Sequence, residues 1–143
     1  PAEHNLAIVQ AVISKSAGRL NDAETELKRA QERLDALGLK IGTNASLRVV
    51  RSEIAVEQGR LQDAQGLALD AVERARAARG DLPSSLVSGQ ALLALATVQW
   101  KLGRIAEAHQ SCSLALEQLV ATTGEQHLSM RRARRLALAI AAG

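Results

Sequence analysis

"GRIAEAHQSCSLA", Gly103 to Ala115, is the third copy of a pattern that also reads "GRLNDAETELKRA" from Gly18 and "GRLQDAQGLALDA" from Gly59. The three glycines stand 41 and then 44 residues apart. Five residues after each comes an alanine (Ala23, Ala64, Ala108), and twelve residues after each comes another (Ala30, Ala71, Ala115). An acidic residue precedes the first alanine every time: Asp22, Asp63 and Glu107. Coincidence at this many fixed offsets marks a repeat architecture, with a unit somewhat over forty residues long.

Each recurring position has a physical reason. Glycine accepts the left-handed dihedrals of a tight helix–helix turn. The paired alanines are two helical turns apart, so they share a face on which a neighbouring helix can approach closely. Leu20, Leu61 and Ile105 follow the turn and are expected to plug it. Amphipathic stretches precede the glycines at about 3–17, 44–58 and 84–102, and longer ones follow at about 21–37, 62–79 and 106–122. Asn21 with Glu24 reads as an N-cap with its capping-box partner. Gly38, Gly80 and Gly124 read as C-terminal stops, and Pro83-Ser84-Ser85 restarts the third unit. A seventh helix follows Glu125. Composition agrees: Trp100 is the lone aromatic among 143 residues and only Pro1 and Pro83 could interrupt a helix, while Ala, Leu, Glu, Gln and Arg dominate. The expected fold is all-α, a solenoid of antiparallel helix pairs in one domain spanning 1–143.

At these residues the chain resembles the tetratricopeptide repeat family. Its Gly-Arg-aliphatic step, with an acidic residue before the first alanine and a second alanine seven on, is similar to that family's second-helix signature. The ordinary repeat is about 34 residues; longer units resemble the kinesin light chain type, also common in bacterial signalling proteins. "TTGEQHLSM", Thr122 to Met130, is similar to that type's ending, with Leu128 where the family usually has proline. The resemblance implies a right-handed α-solenoid with repeats at about 3–40, 44–82 and 84–124 and a closing helix at about 126–141. It further implies that the first helix of each unit lines a concave groove. The family's large aromatic positions are here Ala7, Arg48 and Leu92. Positions where some members carry peptide-gripping asparagines are Val12, Glu53 and Thr97, which argues against that mode of capture. Repeats of the HEAT type span a similar length, but their proline and aspartate punctuation is missing.

The eye-catching pair in the opening stretch is His109 and Cys112, three apart on a helix. His109 shares its register with Glu24 and Gln65, a solvent-facing set; Cys112 shares its register with Leu27 and Ala68, an apolar one. Cys112 is therefore expected to be a small buried hydrophobe and not a nucleophile, which would need an electropositive pocket and an orienting third group. His4 and His127 have no partners at ligand spacing, and His127 is expected to begin the last helix. No phosphate loop and no hydrolase or metalloprotease motif is found. The chain is read as a non-enzyme with no cofactor or metal.

What remains is binding. In the family register the groove candidates are Ile8, Val12, Val49, Glu53, Val56, Leu93, Thr97 and Trp100, joined by Arg132 and Arg135 if the seventh helix begins a fourth unit. Trp100 admits two readings, a binding hot spot or a core residue. "RRARR", Arg131 to Arg135, likewise reads as a basic end of the groove that draws an acidic peptide, or as a solvated helix face. The partner expected is a peptide or a protein domain. Net charge is only +3, and basic residues are not interleaved with aromatics, which disfavours nucleic acid. Leu136, Leu138 and Ile140 make the last helix apolar for a terminal cap, so either further repeats follow or this edge pairs with a second molecule as a homodimer. A dimerisation or spacer segment is the alternative function. One cysteine suits a reducing compartment, and with no secretory signal pattern and no apolar run of about 18 residues, a cytoplasmic location off the membrane is expected. A start at Pro1 points to a fragment of a larger protein, and the family resemblance to a bacterial regulator.

Overall fold

The Gly-Arg step is where the chain doubles back. Gly59 and Gly103 hold φ of +77° and +81°, a region that side-chain-bearing residues seldom adopt. The Gly59 N–H donates to the Val56 carbonyl at 3.0 Å and the Arg60 N–H to the Ala55 carbonyl at 2.8 Å. Gly103 and Arg104 repeat the arrangement with Trp100 (3.0 Å) and Gln99 (2.9 Å). This bond pair is a Schellman closure, and the arginine that completes it also opens the next helix.

The computed structural model describes residues 19–37 and 42–143, and among them the chain forms helices and no strands. The helices are α1 (Leu20–Leu37), α2 (Gly42–Glu57), α3 (Leu61–Arg79), α4 (Leu86–Lys101), α5 (Ile105–Thr122) and α6 (Leu128–Ala141). The expected helix at 3–17, with His4, Ala7, Ile8 and Val12, and the expected glycines Gly18 and Gly38, lie outside the described residues.

The expected capping box does not form. Arg60 and Arg104 stand at the N-caps of α3 and α5 without a side-chain cap bond, and the Arg19 carbonyl accepts from the Ala23 N–H at 3.1 Å in the same register. Asn21 therefore lies inside α1, where its Oδ1 accepts from Gln58 Nε2 at 2.9 Å. Glu24 is drawn away by an ion pair with Arg51 at 2.8 Å. Other boundaries follow their residues: Ser85 Oγ accepts from the Ser88 N–H at 3.0 Å to start α4, and Gly80, at φ +60°, ends α3. Helix α5 ends at Thr122, as expected, with Thr123 extended as its C-cap just before Gly124. Ile105 does not plug its turn; it is 39% exposed.

The repeated alanines carry the packing. Ala23, Ala64, Ala71, Ala108 and Ala115 have no exposed surface and Ala30 has 4%. Helices α2 and α3 pair antiparallel, since Ser52 Oγ donates to the Ala64 carbonyl while Arg48, one turn earlier, bonds with Asp70 further along α3. Helices α4 and α5 do the same, with Ser111 Oγ donating to Gln99 Oε1 at 2.7 Å and Gly89 set against Leu119. Each helix packs on its neighbours in sequence, and α2 also touches α4 as α4 touches α6; α3 and α5 do not touch.

Two tight places were silent in the sequence. Arg48, 1% exposed, holds carboxylates of both flanking helices: Asp35 of α1 at 3.1 Å and Asp70 of α3. Its guanidinium also donates to the Asn44 side chain, and Arg74 approaches both aspartates at 3.6 Å. At Gly89, a Cβ would meet Leu119 Cδ2 at 2.7 Å and Cγ at 2.8 Å, so α4 and α5 approach through a missing side chain. Gly66 on α3 has open space around it. Gly66→Ala should therefore gain roughly 0.5–1 kcal/mol from helix propensity, whereas Gly89→Ala should lose roughly 1–3 kcal/mol through overpacking. Urea unfolding of the two variants checks this, and a gain at both sites would contradict the α4–α5 contact.

Candidate binding groove

Helices α2, α4 and α6 touch in succession, and the surface they share is a groove of about 900 Å³. Its wall on α2 includes Val49, Val50, Glu53, Val56 and Glu57; on α4, Gln90, Leu93, Ala94, Thr97 and Lys101; on α6, Leu128, Ser129 and Arg132. The three- and four-residue spacing on α2 and α4 is that of one helix face. The floor is apolar, with Val49, Leu93 and Ala94 nearly buried. Carboxylates stand on the α2 side and cations at Lys101 and Arg132, and the Arg132–Glu53 pair at 3.9 Å spans the groove between α6 and α2. Gln90 Nε2 donates to Ser129 Oγ at 3.1 Å and ties α4 to α6.

Of the residues expected in a groove, Val49, Glu53, Val56, Leu93, Thr97 and Arg132 line this one. Ile8 and Val12 lie outside the described residues. Trp100 is a correction: its ring packs against the core between α4, α5 and α6. The α4 track along the groove runs 90, 93, 94, 97, 101, so Lys101 takes the last position and Trp100 is turned inward. The Lys101 ammonium lies 5.5 Å from the ring centroid, a cation–π contact at the groove's end. Arg135 is a second correction: it is exposed and outside the groove, because α6 lines it only through its first turn and a half, to Arg132. Missed in the sequence were Val50, Glu57, Gln90, Ala94, Lys101 and the first turn of α6; Gln90 and Lys101 could have been found by extending Leu93 and Thr97 by one more turn in either direction.

The remaining candidates separate cleanly. Cys112 is 2% exposed and its thiol donates to the Ala133 carbonyl of α6 at 3.6 Å, whereas His109 is exposed. One belongs to the core and the other to solvent, so they do not form a thiol–imidazole pair. His127 is the N-cap of α6, its Nδ1 accepting from the Ser129 N–H at 3.1 Å. Among the described residues, no group of three or more His, Cys, Asp or Glu side chains is placed to hold a metal ion, and no helix is long and apolar enough to cross a membrane. Arg134 is bound to Glu125 at 2.8 Å, and this hydrogen bond holds the Glu125 carboxyl below its ordinary range. No protein-family model matches the chain, and no curated protein matches it.

Burial pushes the Cys112 thiol above its ordinary value of 9.0. A folded-state value above the unfolded one means that the thiol's contribution to stability is fully present below about pH 9 and is lost as pH rises beyond it. Measured between about pH 7 and pH 10, the urea midpoint should fall at the alkaline end more steeply in the native chain than in Cys112→Ala. Equal slopes would contradict a buried thiol.

Proposed function

We propose that this chain is a non-catalytic interaction module, a helical solenoid of tetratricopeptide-like units that binds a peptide or partner domain in the groove between α2, α4 and α6. The observation that carries the reading is the convergence of Val49, Glu53, Val56, Leu93, Thr97 and Arg132, chosen from repeat register, on one groove. The recurrent Schellman turn with its arginine cap and the buried alanine stripe support the repeat architecture. The groove's apolar floor with opposite charges on its sides suits an amphipathic helix or extended segment that buries a few apolar anchors and sets its charges at the rim. Such a module is expected to serve a larger regulatory protein.

A displayed random-peptide library tests this. Binders should be enriched in apolar residues at helical or alternate spacing. Thr97→Arg, which sets a bulky cation in the middle of the groove, should weaken them by roughly tenfold or more, while Val120→Arg on the exposed face of α5 should leave them unchanged. Binders indifferent to Thr97→Arg would contradict the proposal.

A further inference from the structure

Glu53 and Arg132 face one another across the groove, and register shows what lies beneath them. Helices α2 and α4 align through Gly59 and Gly103 at an offset of 44 residues. Helices α4 and α6 align through their side-chain N-caps, Ser85 and His127, at an offset of 42. Glu53 therefore stands level with Thr97, and Arg132 level with Gln90. Between those two levels on α4 lie Leu93 and Ala94, the nearly buried floor. The ion pair runs over this floor from one wall to the other.

The pair is easily opened. Helices α2 and α6 do not pack on one another; the pair spans the gap at 3.9 Å, with the Arg132 side chain 54% exposed and that of Glu53 34%. Contacts this long and this wet add little stability, so parting them costs little. What each charge meets afterwards decides the outcome. A neutral segment laid across the floor would separate the two charges and shield both from water with nothing in exchange, which is a penalty. A segment that brings the opposite sign to each side replaces the lost partner, and one that brings a like sign is repelled.

We propose that the groove takes an extended segment in which one apolar residue is flanked by a cation and a carboxylate, in either chain direction, and that the Glu53–Arg132 pair selects this segment by exchange. The cation goes to Glu53, the carboxylate goes to Arg132, and the apolar side chain drops between them onto Leu93 and Ala94. Extended backbone geometry suits the exchange. Alternate side chains of a strand share a side, so the two charges stay at the rim while the residue between them points to the floor. The charged positions are about 6.6 Å apart, enough to reach both members of a pair that starts at 3.9 Å. A helical occupant would set residues two apart on different faces. It would also need roughly 10–12 Å of width between walls that two side chains now bridge. This selection rests on the groove being the binding surface proposed above, and it specifies the chemistry of what binds there.

The displayed random-peptide library serves as the probe. It is selected on the native full chain, on Arg132→Glu, on Glu53→Arg and on the double variant Glu53→Gln with Arg132→Gln. Only binders weakened by Thr97→Arg in the same background are counted. The native chain should enrich opposite charges two positions apart around an apolar residue. Arg132→Glu should turn that preference to two cations and Glu53→Arg to two carboxylates, while the double variant should keep the apolar residue and lose the charges. For a single native binder, fluorescence anisotropy should show affinity reduced roughly tenfold or more in Arg132→Glu, and recovered when the peptide's carboxylate is replaced by lysine. Should Arg132→Glu lose its helical circular dichroism, Arg132→Gln takes its place and should abolish the preference for the carboxylate alone. Groove binders without the charge pattern, or with the same pattern from every chain, would overturn the exchange and leave the groove reading standing. Binders with charges at helical spacing would overturn it in the same way. A library that yields no binder weakened by Thr97→Arg would overturn both.

Discussion

Alanine against alanine, with no room between, is the constraint on which the rest of the structure depends. The chain has one aromatic residue in 143, so its helices cannot be held apart by large rings and filled in between. Small buried side chains take the place of rings and let neighbouring helices approach closely. Ala23, Ala64, Ala71, Ala108 and Ala115 are buried without remainder, and Gly89 carries the same logic to its limit against Leu119. The Gly-Arg turn serves this contact. A Schellman closure followed at once by a helix start leaves no slack residues, so each second helix returns tight against the first.

Arg48 is the exception that the alanine core accommodates. A guanidinium with almost no exposed surface is tolerable only when its donors are satisfied, and here carboxylates of α1 and α3 and the Asn44 side chain supply the acceptors. Because such buried pairs add little net stability over an apolar substitute, the effect of this one lies in geometry: a planar fork fixes two helices relative to a third. The pair lies beneath the groove-lining face of α2, so the wall that carries Val49, Glu53 and Val56 is held from behind.

The parts of this arrangement that recur in the chain were legible in it. Glycine spacing located the turns, alanine spacing located the contact faces, and comparison of registers sent Cys112 to the core and His109 to solvent. The parts that occur once were not legible. Arg48 lacks counterparts at its partners' positions, since Asp35 and Asp70 align with unlike residues in the other units, and a lone charge in a helix reads as surface. Asn21 looked like a cap because side-chain rules favour it, but the turn had already assigned the cap to arginine through its backbone. Trp100 was ambiguous for a geometric reason: its register partner Val56 lines the groove, yet the core between α4, α5 and α6 takes in a large ring and leaves the groove to Lys101.

The most direct measurement of the alanine constraint is a pair of neighbours on one turn of α5. Ala108 is fully buried and His109 is exposed, so chemical unfolding of Ala108→Leu should show a loss of roughly 1–3 kcal/mol from overpacking, while His109→Ala should unfold with the native midpoint. Two equally mild variants would show that the repeat register, and the close helix contact built on it, is wrong.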